Sequence, residues 1–505
     1  MPMFLPVLAL VAALGGGLVL GKVVLREGPL EGLLLCGVIP AAWLVLRSWW
    51  WSVVGVLAIV SLLPFATLPI GGSVTPALLE VTQLAALGVG ALVLLFDRRQ
   101  RMVLGWTPAL VLALMGVCVA AFALGLGRGY TSQTLHDFFK FLLSISMFFV
   151  VVHLVRTVAD ARLLTILLCG GATAAAGLAL ALYAGGPSVT LRVLSKLTPY
   201  GYPSGRIVRY IEDNPAQAMR AVGTGVDPNS FGGLLMVGVV LAGSQLLVQR
   251  RSVPVWLAVG SFTLLAPALL LTYSRGAWLG ALCGLGLVCL LRRAWLLAPV
   301  AAGGVALIAV GVGASFMQRL WLGFTLQDPA TKLRMDEYRN AWAIIQEHVW
   351  FGVGFGDAPS IELQTGVSSI YLTIAERAGA LGVLVFLLAV VPLTVRALWS
   401  TRRVLDEATD LRLSVVAALT ACLAVGVVDH YFFNPQFAHM AALFWMLVAL
   451  VFVLDGPLLS QRSAFRADVR REVEPSRIVG GLKRPVAGGA SAAVGAPLGM
   501  EGQRT

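Results

Sequence analysis

Apolar runs of about 17–25 residues, the length a helix needs to cross a bilayer, recur along most of the chain. They occupy 4–20, 29–46, 50–70, 76–96, 103–125, 138–155, 163–184, 230–248, 254–273, 276–291, 294–313, 369–395, 412–428 and 437–454. The runs at 4–20 and 276–291 are short, so the pattern predicts an all-α, polytopic membrane helix bundle of about 12–14 transmembrane helices. The runs are continuous rather than alternating in polarity, which excludes a membrane β-barrel. Two long polar stretches, 185–229 and 314–368, interrupt the series. The expected organisation is an N-terminal transmembrane bundle (1–184), a first loop (185–229), transmembrane hairpins (230–313), a second loop (314–368), C-terminal helices (369–455) and a tail (456–505).

Composition sharpens this picture. With 58% hydrophobic and 12% charged residues, a globular enzyme is excluded and an integral membrane protein is expected. The first run lacks a basic lead and a small-residue cleavage site, so it is read as a retained helix and not a signal peptide. Cys36, Cys118, Cys169, Cys283, Cys289 and Cys422 all fall inside apolar runs without metal-ligand spacing. They are read as small packing residues, neither disulfides nor metal ligands.

The formal charge of +12 raises the question of nucleic acid, and its placement answers against it. Basic residues gather in short connections: Arg98, Arg99 and Arg101; Arg156 and Arg162; Arg250 and Arg251; Arg292 and Arg293; Arg396, Arg402, Arg403 and Arg412. Alternating helices put all of these on one side, and the positive-inside rule makes that side cytoplasmic. Lys22 and Arg26 are the exception. Both termini are then cytoplasmic, and both long loops are extracytoplasmic. The Gly/Ala/Pro-rich end, about Pro485 to Pro497, reads as disordered.

One charge does not follow this pattern. Arg275 is the only charged residue between Val253 and Leu291, in Thr272-Tyr273-Ser274-Arg275-Gly276-Ala277. Near the middle of a hydrocarbon span it would cost roughly 2.5–3.5 kcal/mol. A Tyr-Ser-Arg-Gly break can instead mark a tight turn between two helices, placing the guanidinium at a helix end near the membrane surface. There it either caps a short loop and snorkels, or faces an enclosed anion site.

The first loop holds Arg192, Lys196, Arg206, Arg209 and Arg220 against Glu212, Asp213 and Asp227, and ends in Asp227-Pro228-Asn229. That tripeptide is a turn and helix-start signal. It is either a plain re-entry turn or a device that holds Arg220 at the membrane surface. In the second loop, Asp328-Pro329 opens an amphipathic helix with an apolar stripe of Tyr338, Trp342, Ile345 and Val349. Arg334 belongs to the stripe, whereas Arg339 is rotated about 140° from it, towards solvent. An arginine on the inner face needs a partner, and a lipid phosphate would serve. Phe351-Gly352-Val353-Gly354-Phe355-Gly356 then reads as a tight backbone turn. No Gly-x-x-x-x-Gly-Lys occurs, so nucleotide chemistry is unsupported.

Taken in order, these pieces resemble the O-antigen ligase/polymerase family of bacterial inner-membrane glycosyltransferases. The matching elements are Arg220 with Gly223 and Asp227-Pro228-Asn229, Ser274-Arg275-Gly276-Ala277, and Arg334 with an aromatic four residues on. The Phe351–Gly354 turn follows, then Tyr371-Leu372, Glu376 and Gly379-x-x-Gly382. The match covers about 215–385 and is topological elsewhere. It implies a GT-C-like bundle that transfers a sugar chain from undecaprenyl pyrophosphate to an acceptor hydroxyl, with no cofactor, metal or nucleotide. It also implies catalytic roles for Arg220 and Arg275 on the pyrophosphate, and substrate contacts at Arg334, Tyr371 and Glu376.

The sequence departs from the family at one point. The family carries His-Asn just before the Tyr-Leu motif, where this chain has Ser368-Ser369. A serine near its ordinary pKa is no general base. Asp429-His430, at the outer end of the penultimate run, is the candidate replacement, with His348 in the second loop behind it. His136, His153 and His439 have no arginine cluster near them in sequence and are read as structural.

The preferred reading is a polymerase joining lipid-linked repeat units of an exported polysaccharide on the outer face of the inner membrane. The alternatives are a ligase moving a finished glycan to lipid A core or protein, a transporter of lipid-linked sugars, and a non-catalytic scaffold. Expected partners are the undecaprenyl-pyrophosphate-linked oligosaccharide, a glycan or lipid acceptor, and other assembly and export proteins.

Overall fold

The computed structural model describes residues 48–68, 75–96, 102–125, 129–299, 302, 329–356, 367–402 and 405–456. The predicted runs at 4–20 and 29–46, most of 294–313, Cys36 and the tail beyond 456 lie outside the described residues. Within them the chain is helical, and its only β pairings are the isolated bridges Thr67–Ala77 and Tyr210–Met219. The helices are α1 (Trp49–Leu62), α2 (Leu78–Phe96), α3 (Trp106–Leu124), α4 (Ser132–Leu154), α5 (Val158–Leu194) and α6 (Pro228–Leu247). They continue as α7 (Val255–Leu271), α8 (Arg275–Arg292), α9 (Pro329–Glu347), α10 (Ile370–Ser400), α11 (Glu407–Val425) and α12 (Ala438–Asp455). Among the described residues, nine helices are long and apolar enough to cross a membrane, while α1 and α7 are apolar but shorter. The protein is a polytopic helical membrane bundle.

Burial sorts the helices. α12 and α6 are apolar on every side and almost wholly enclosed by protein, the expected state of a helix without a polar face. α2 and α3 lie at the periphery, most of their surface uncovered by protein. Phe148 and Trp445 meet edge to face where α4 packs on α12. Among the described residues no cysteine is bonded to another; Cys118, Cys289 and Cys422 are buried, Cys169 is half-buried and Cys283 is exposed.

At one end of the bundle the helix termini are tied by ion pairs. Asp410, fully buried near the start of α11, accepts from Arg292 Nε at 2.7 Å and from the backbone N–H groups of Gln249 and Arg250 at 3.1 and 2.8 Å. Arg292 also donates to Thr401 O at 3.0 Å. Arg162 pairs with Glu407, and Asp455 accepts from Arg396 at 2.6 Å, with Arg412 at 3.6 Å. Among the described residues, Arg162, Arg292, Arg396 and Arg412 of the basic connections thus each pair with a carboxylate at this end. Removing one partner of a buried pair leaves the other charge uncompensated. Asp410→Ala is accordingly expected to cost about 3–5 kcal/mol, read as a fall in the thermal midpoint of the detergent-solubilised protein.

Two helices differ from the predicted boundaries. α5 does not stop at residue 184 but runs on to Leu194, bending where Gly186 takes φ +79° ahead of Pro187. Thr190 Oγ1 bridges the bend by donating to Leu182 O at 2.9 Å. Beyond it, Leu182, Leu194, Ile207 and Val222 form a small apolar cluster that gives the first polar segment its own anchor. α10 is broken at Gly379, where φ is +69°.

Candidate functional site

The end of the bundle opposite the ion-pair belt collects the N-termini of α6, α8, α10 and α12 and the C-termini of α7 and α11. Asp227 caps α6, accepting from Asn229 N at 3.1 Å and Ser230 N at 2.6 Å, with Pro228 in the first turn where its missing N–H is harmless. Just before it, Arg220 N donates to Arg209 O at 2.8 Å and Ala221 N to Leu271 O at 2.8 Å. The Arg220 side chain then donates through Nε to Thr272 O at 2.7 Å and through Nη2 to Asn229 Oδ1 at 2.8 Å. These contacts fix the guanidinium plane between the first polar segment, α6 and the turn after α7.

That turn carries Arg275. Thr272 Oγ1 donates to Leu269 O at 2.7 Å and accepts from Ser274 N at 3.2 Å, and Trp278 Nε1 donates to Leu269 O at 2.9 Å. Tyr273 is held at φ +53°, a left-handed backbone that a bulky side chain rarely takes. Such strain persists only where surrounding contacts enforce it, and at functional sites it is common. Arg275 is the first residue of α8 and half-buried. It stands at a helix N-terminus, where orphan N–H groups already favour an anion, and not in the middle of a span.

α6 threads closely between this turn and the loop after α11. A side chain at Gly232 would meet Ser274 and Ala277, and one at Gly233 would strike the Tyr431 ring. The α11–α12 loop holds Asp429, His430 and Tyr431, all nearly enclosed. His430 Nδ1 lies 3.7 Å from Asp429 Oδ1, too far for a hydrogen bond. Burial pushes the Asp429 carboxyl up to about 7, with Arg334 opposing and Asp227 and Glu337 adding to the rise. Burial pulls the His430 imidazole down to about 4, against Asp227 and Glu337 and with Arg377 and Arg334. Both shifts favour the neutral forms, so at neutral pH His430 is an imidazole able to accept a proton.

The Ser368-Ser369 segment lies against the same loop. Ile370 N donates to Gly426 O at 2.8 Å and Asp429 O at 3.1 Å, and Ser369 Oγ to Gly426 O at 3.3 Å. The Ser368-Ser369 segment is thus tied to the loop that carries His430, which sequence order alone did not show. From the other side comes α9. Glu337 Oε2 accepts from Ser368 N at 3.0 Å, and Tyr338 Oη donates to Ser368 O at 2.9 Å.

The stripe read for α9 is rotated in the structure. Glu337 and Ala341 are its most buried residues at 4% and 1% exposure, while Trp342 and Val349 are 57% and 45% exposed. Tyr338, Ile345 and Arg334 are half-buried, and Arg339 faces outward beside Asp336, as expected. Hydrophobicity misled because the carboxylate of Glu337 gains an N–H partner inside, which an apolar side chain could not use. Glu337 is the residue that sequence reasoning missed. Its signal was positional, three residues after Arg334 and four before Ala341. Arg334 itself acts electrostatically on Tyr338, Asp429 and His430.

Tyr371 and Glu376 follow along α10. Tyr371 Oη donates to Leu423 O at 2.9 Å, tying α10 to α11. Glu376 is buried next to the break in α10. There its carbonyl accepts from Val353 N at 2.8 Å, the Arg377 carbonyl accepts from Gly354 N at 3.0 Å, and Ala380 N donates to Val349 O at 2.7 Å. The broken helix thus has backbone partners in the glycine turn, as non-helical backbone in a membrane protein must. At Gly352 (φ +64°) a Cβ would collide with the backbone of residues 376–378, and at Gly379 (φ +69°) with that of Trp350 and Phe351. His348 closes α9, His136 pairs with Glu80 at 2.7 Å, His153 Nε2 accepts from Val103 N at 3.2 Å, and His439 packs on Phe65.

Comparison with known proteins bears on this arrangement. No curated protein matches the chain. One chain of a solved complex, reported under the words "Structural coordination of polymerization and crosslinking by a peptidoglycan synthase complex", is 19% identical and aligns over 70% of this chain and 96% of its own. Its TM-score of 0.36 is too low to carry an argument. Residues 259–387 match the family described as O-Antigen ligase. This stretch begins in α7, includes Arg275, Arg334, Glu337, Tyr338 and Ser368, and ends in α10, leaving Arg220 and His430 outside it. The resemblance read from the sequence is therefore borne out over this stretch, where the chain is similar to the O-antigen ligase family.

Proposed function

We propose that the protein is a polymerase that joins undecaprenyl-pyrophosphate-linked repeat units of an exported polysaccharide at the outer face of the bacterial inner membrane. The observation that carries this reading is the fastening of Arg220 onto the turn that presents Arg275. Two guanidinium groups at one end of the bundle, beside a neutral imidazole, suit the departure of a pyrophosphate. Guanidinium is planar and permanently charged, and binds phosphate oxygens in pairs.

The acceptor hydroxyl attacks the anomeric carbon from the face opposite the leaving group. The bond from that carbon to the pyrophosphate oxygen breaks, and the configuration inverts. The hydroxyl proton passes to His430 Nε2 or Nδ1, and the lipid pyrophosphate leaves as an anion held by Arg220 and Arg275. Charge that grows on the leaving oxygen meets donors already in place, the arrangement that lowers a barrier most. Arg334 on α9 supplies a further positive group on the acceptor side, with Tyr371 and Glu376 shaping α10 behind it. No cofactor, metal or nucleotide enters this scheme.

A ligase that moves a completed glycan to lipid A core or protein uses the same donor chemistry, and the O-antigen ligase match keeps it as the second reading. Deleting the gene and analysing the lipid-linked intermediates separates the two. Accumulated single repeats are the expected result. Full-length lipid-linked chains would make the protein a ligase, and an unchanged pool would remove both readings in favour of a transporter or scaffold.

A further inference from the structure

Consecutive residues of α9 hold both backbone groups of one residue in another segment. Glu337 takes the N–H of Ser368 at 3.0 Å, and Tyr338 gives its hydroxyl to the Ser368 carbonyl at 2.9 Å. The same hydroxyl lies 3.4 Å from Val427 O, so it also reaches the loop that leads to Asp429 and His430. Ser369 N turns back to Val367 O at 2.7 Å, Thr373 Oγ1 donates to that carbonyl at 3.0 Å, and Ile370 N closes on Gly426 O and Asp429 O. The peptide at 367–370 is pinned between α9 and the His430 loop. A carboxylate at 4% exposure is not needed to anchor a surface helix, since an apolar residue would bury there at lower cost. Its presence makes sense where a particular N–H must be held in a particular place.

We propose that Glu337 and Tyr338 are positioning residues for glycan transfer, a two-point clamp that sets the Ser368-Ser369 peptide against the His430 loop. The proposal rests on the transfer reading above. It makes α9 a part of the acceptor side of the site, acting through backbone geometry and not through direct contact with the reacting atoms. Losing the clamp should allow shifts of the order of an ångström at His430, a displacement that costs about a hundredfold when it separates reacting groups.

The test uses the full-length protein in lipid nanodiscs, supplied with the lipid-linked glycan accumulated by cells lacking the gene. Glu337→Ala is expected to lower kcat by about a hundredfold while the donor KM stays within about twofold, since donor-binding arginines are untouched. Glu337→Gln keeps an oxygen for the Ser368 N–H and should return kcat to within about fivefold of wild type. Tyr338→Phe, which removes one hydroxyl and keeps the ring, should lower kcat about tenfold. A Glu337→Ala protein that fails to fold leaves Tyr338→Phe to decide, and wild-type kcat in that variant overturns the clamp. So does an active wild type with unchanged Glu337→Ala, or a Glu337→Gln variant as impaired as the alanine. No transfer by the wild-type protein itself would instead strike the functional reading.

Discussion

Arg275→Ala is expected to reduce glycan transfer by about 10²–10³, the scale for losing one preorganised donor to a developing anion, while the protein inserts and folds. Insertion should not suffer, because the substitution removes a charge from an otherwise apolar hairpin, and charged side chains are what insertion disfavours. The turn that holds it is also fixed by Thr272 Oγ1 on Leu269 and Ser274, by Trp278 Nε1 on Leu269 and by Arg220 on Thr272. Turnover in nanodiscs, with the thermal midpoint as the folding control, measures the effect. Arg275→Lys should recover little, since a point charge cannot replace a planar two-pronged contact. Wild-type turnover in the alanine variant would sink the pyrophosphate assignment and leave Arg275 as a snorkelling cap.

Much of this site was legible in the chain because its parts carry strong local signals. A lone arginine in an apolar run, a cap-proline pair at Asp227-Pro228 and alternate glycines at 352 and 354 each leave few conformations open. The structure realises all three as helix ends or turns. What the sequence could not reveal depends on contacts between distant segments. The apolar run ends at 184, yet a second helical stretch follows the kink at Gly186, where Leu182 and Leu194 pack with Ile207 and Val222. The inner face of α9 was misread because hydrophobic spacing ranks Trp342 above Glu337. Only the approach of Ser368 gives a buried carboxylate a reason to point inward. The contact of Ser369 and Ile370 with the Gly426–Asp429 loop joins residues more than fifty positions apart, and nothing local encodes it.

His430→Ala should lower turnover by about a hundredfold or more, the low end for losing a general base. The imidazole is nearly enclosed, its loop is hydrogen-bonded to the segment that begins α10, and it is neutral at ordinary pH because burial holds it down to about 4. The sign of the pH dependence follows. A base must be unprotonated to act, so kcat should rise as pH climbs through about 4 and then level, and His430→Ala should lose that acid limb. Asp429 titrates higher, up to about 7, because its enclosed carboxyl resists ionisation. Asp429→Asn mimics the neutral form and should leave the acid limb in place while removing any step near 7. His348→Ala, at the close of α9, should change turnover far less. Wild-type rates in His430→Ala, His348→Ala and the double variant would leave no histidine in the reaction. Transfer would then depend on arginine-held pyrophosphate departure and on placement of the acceptor.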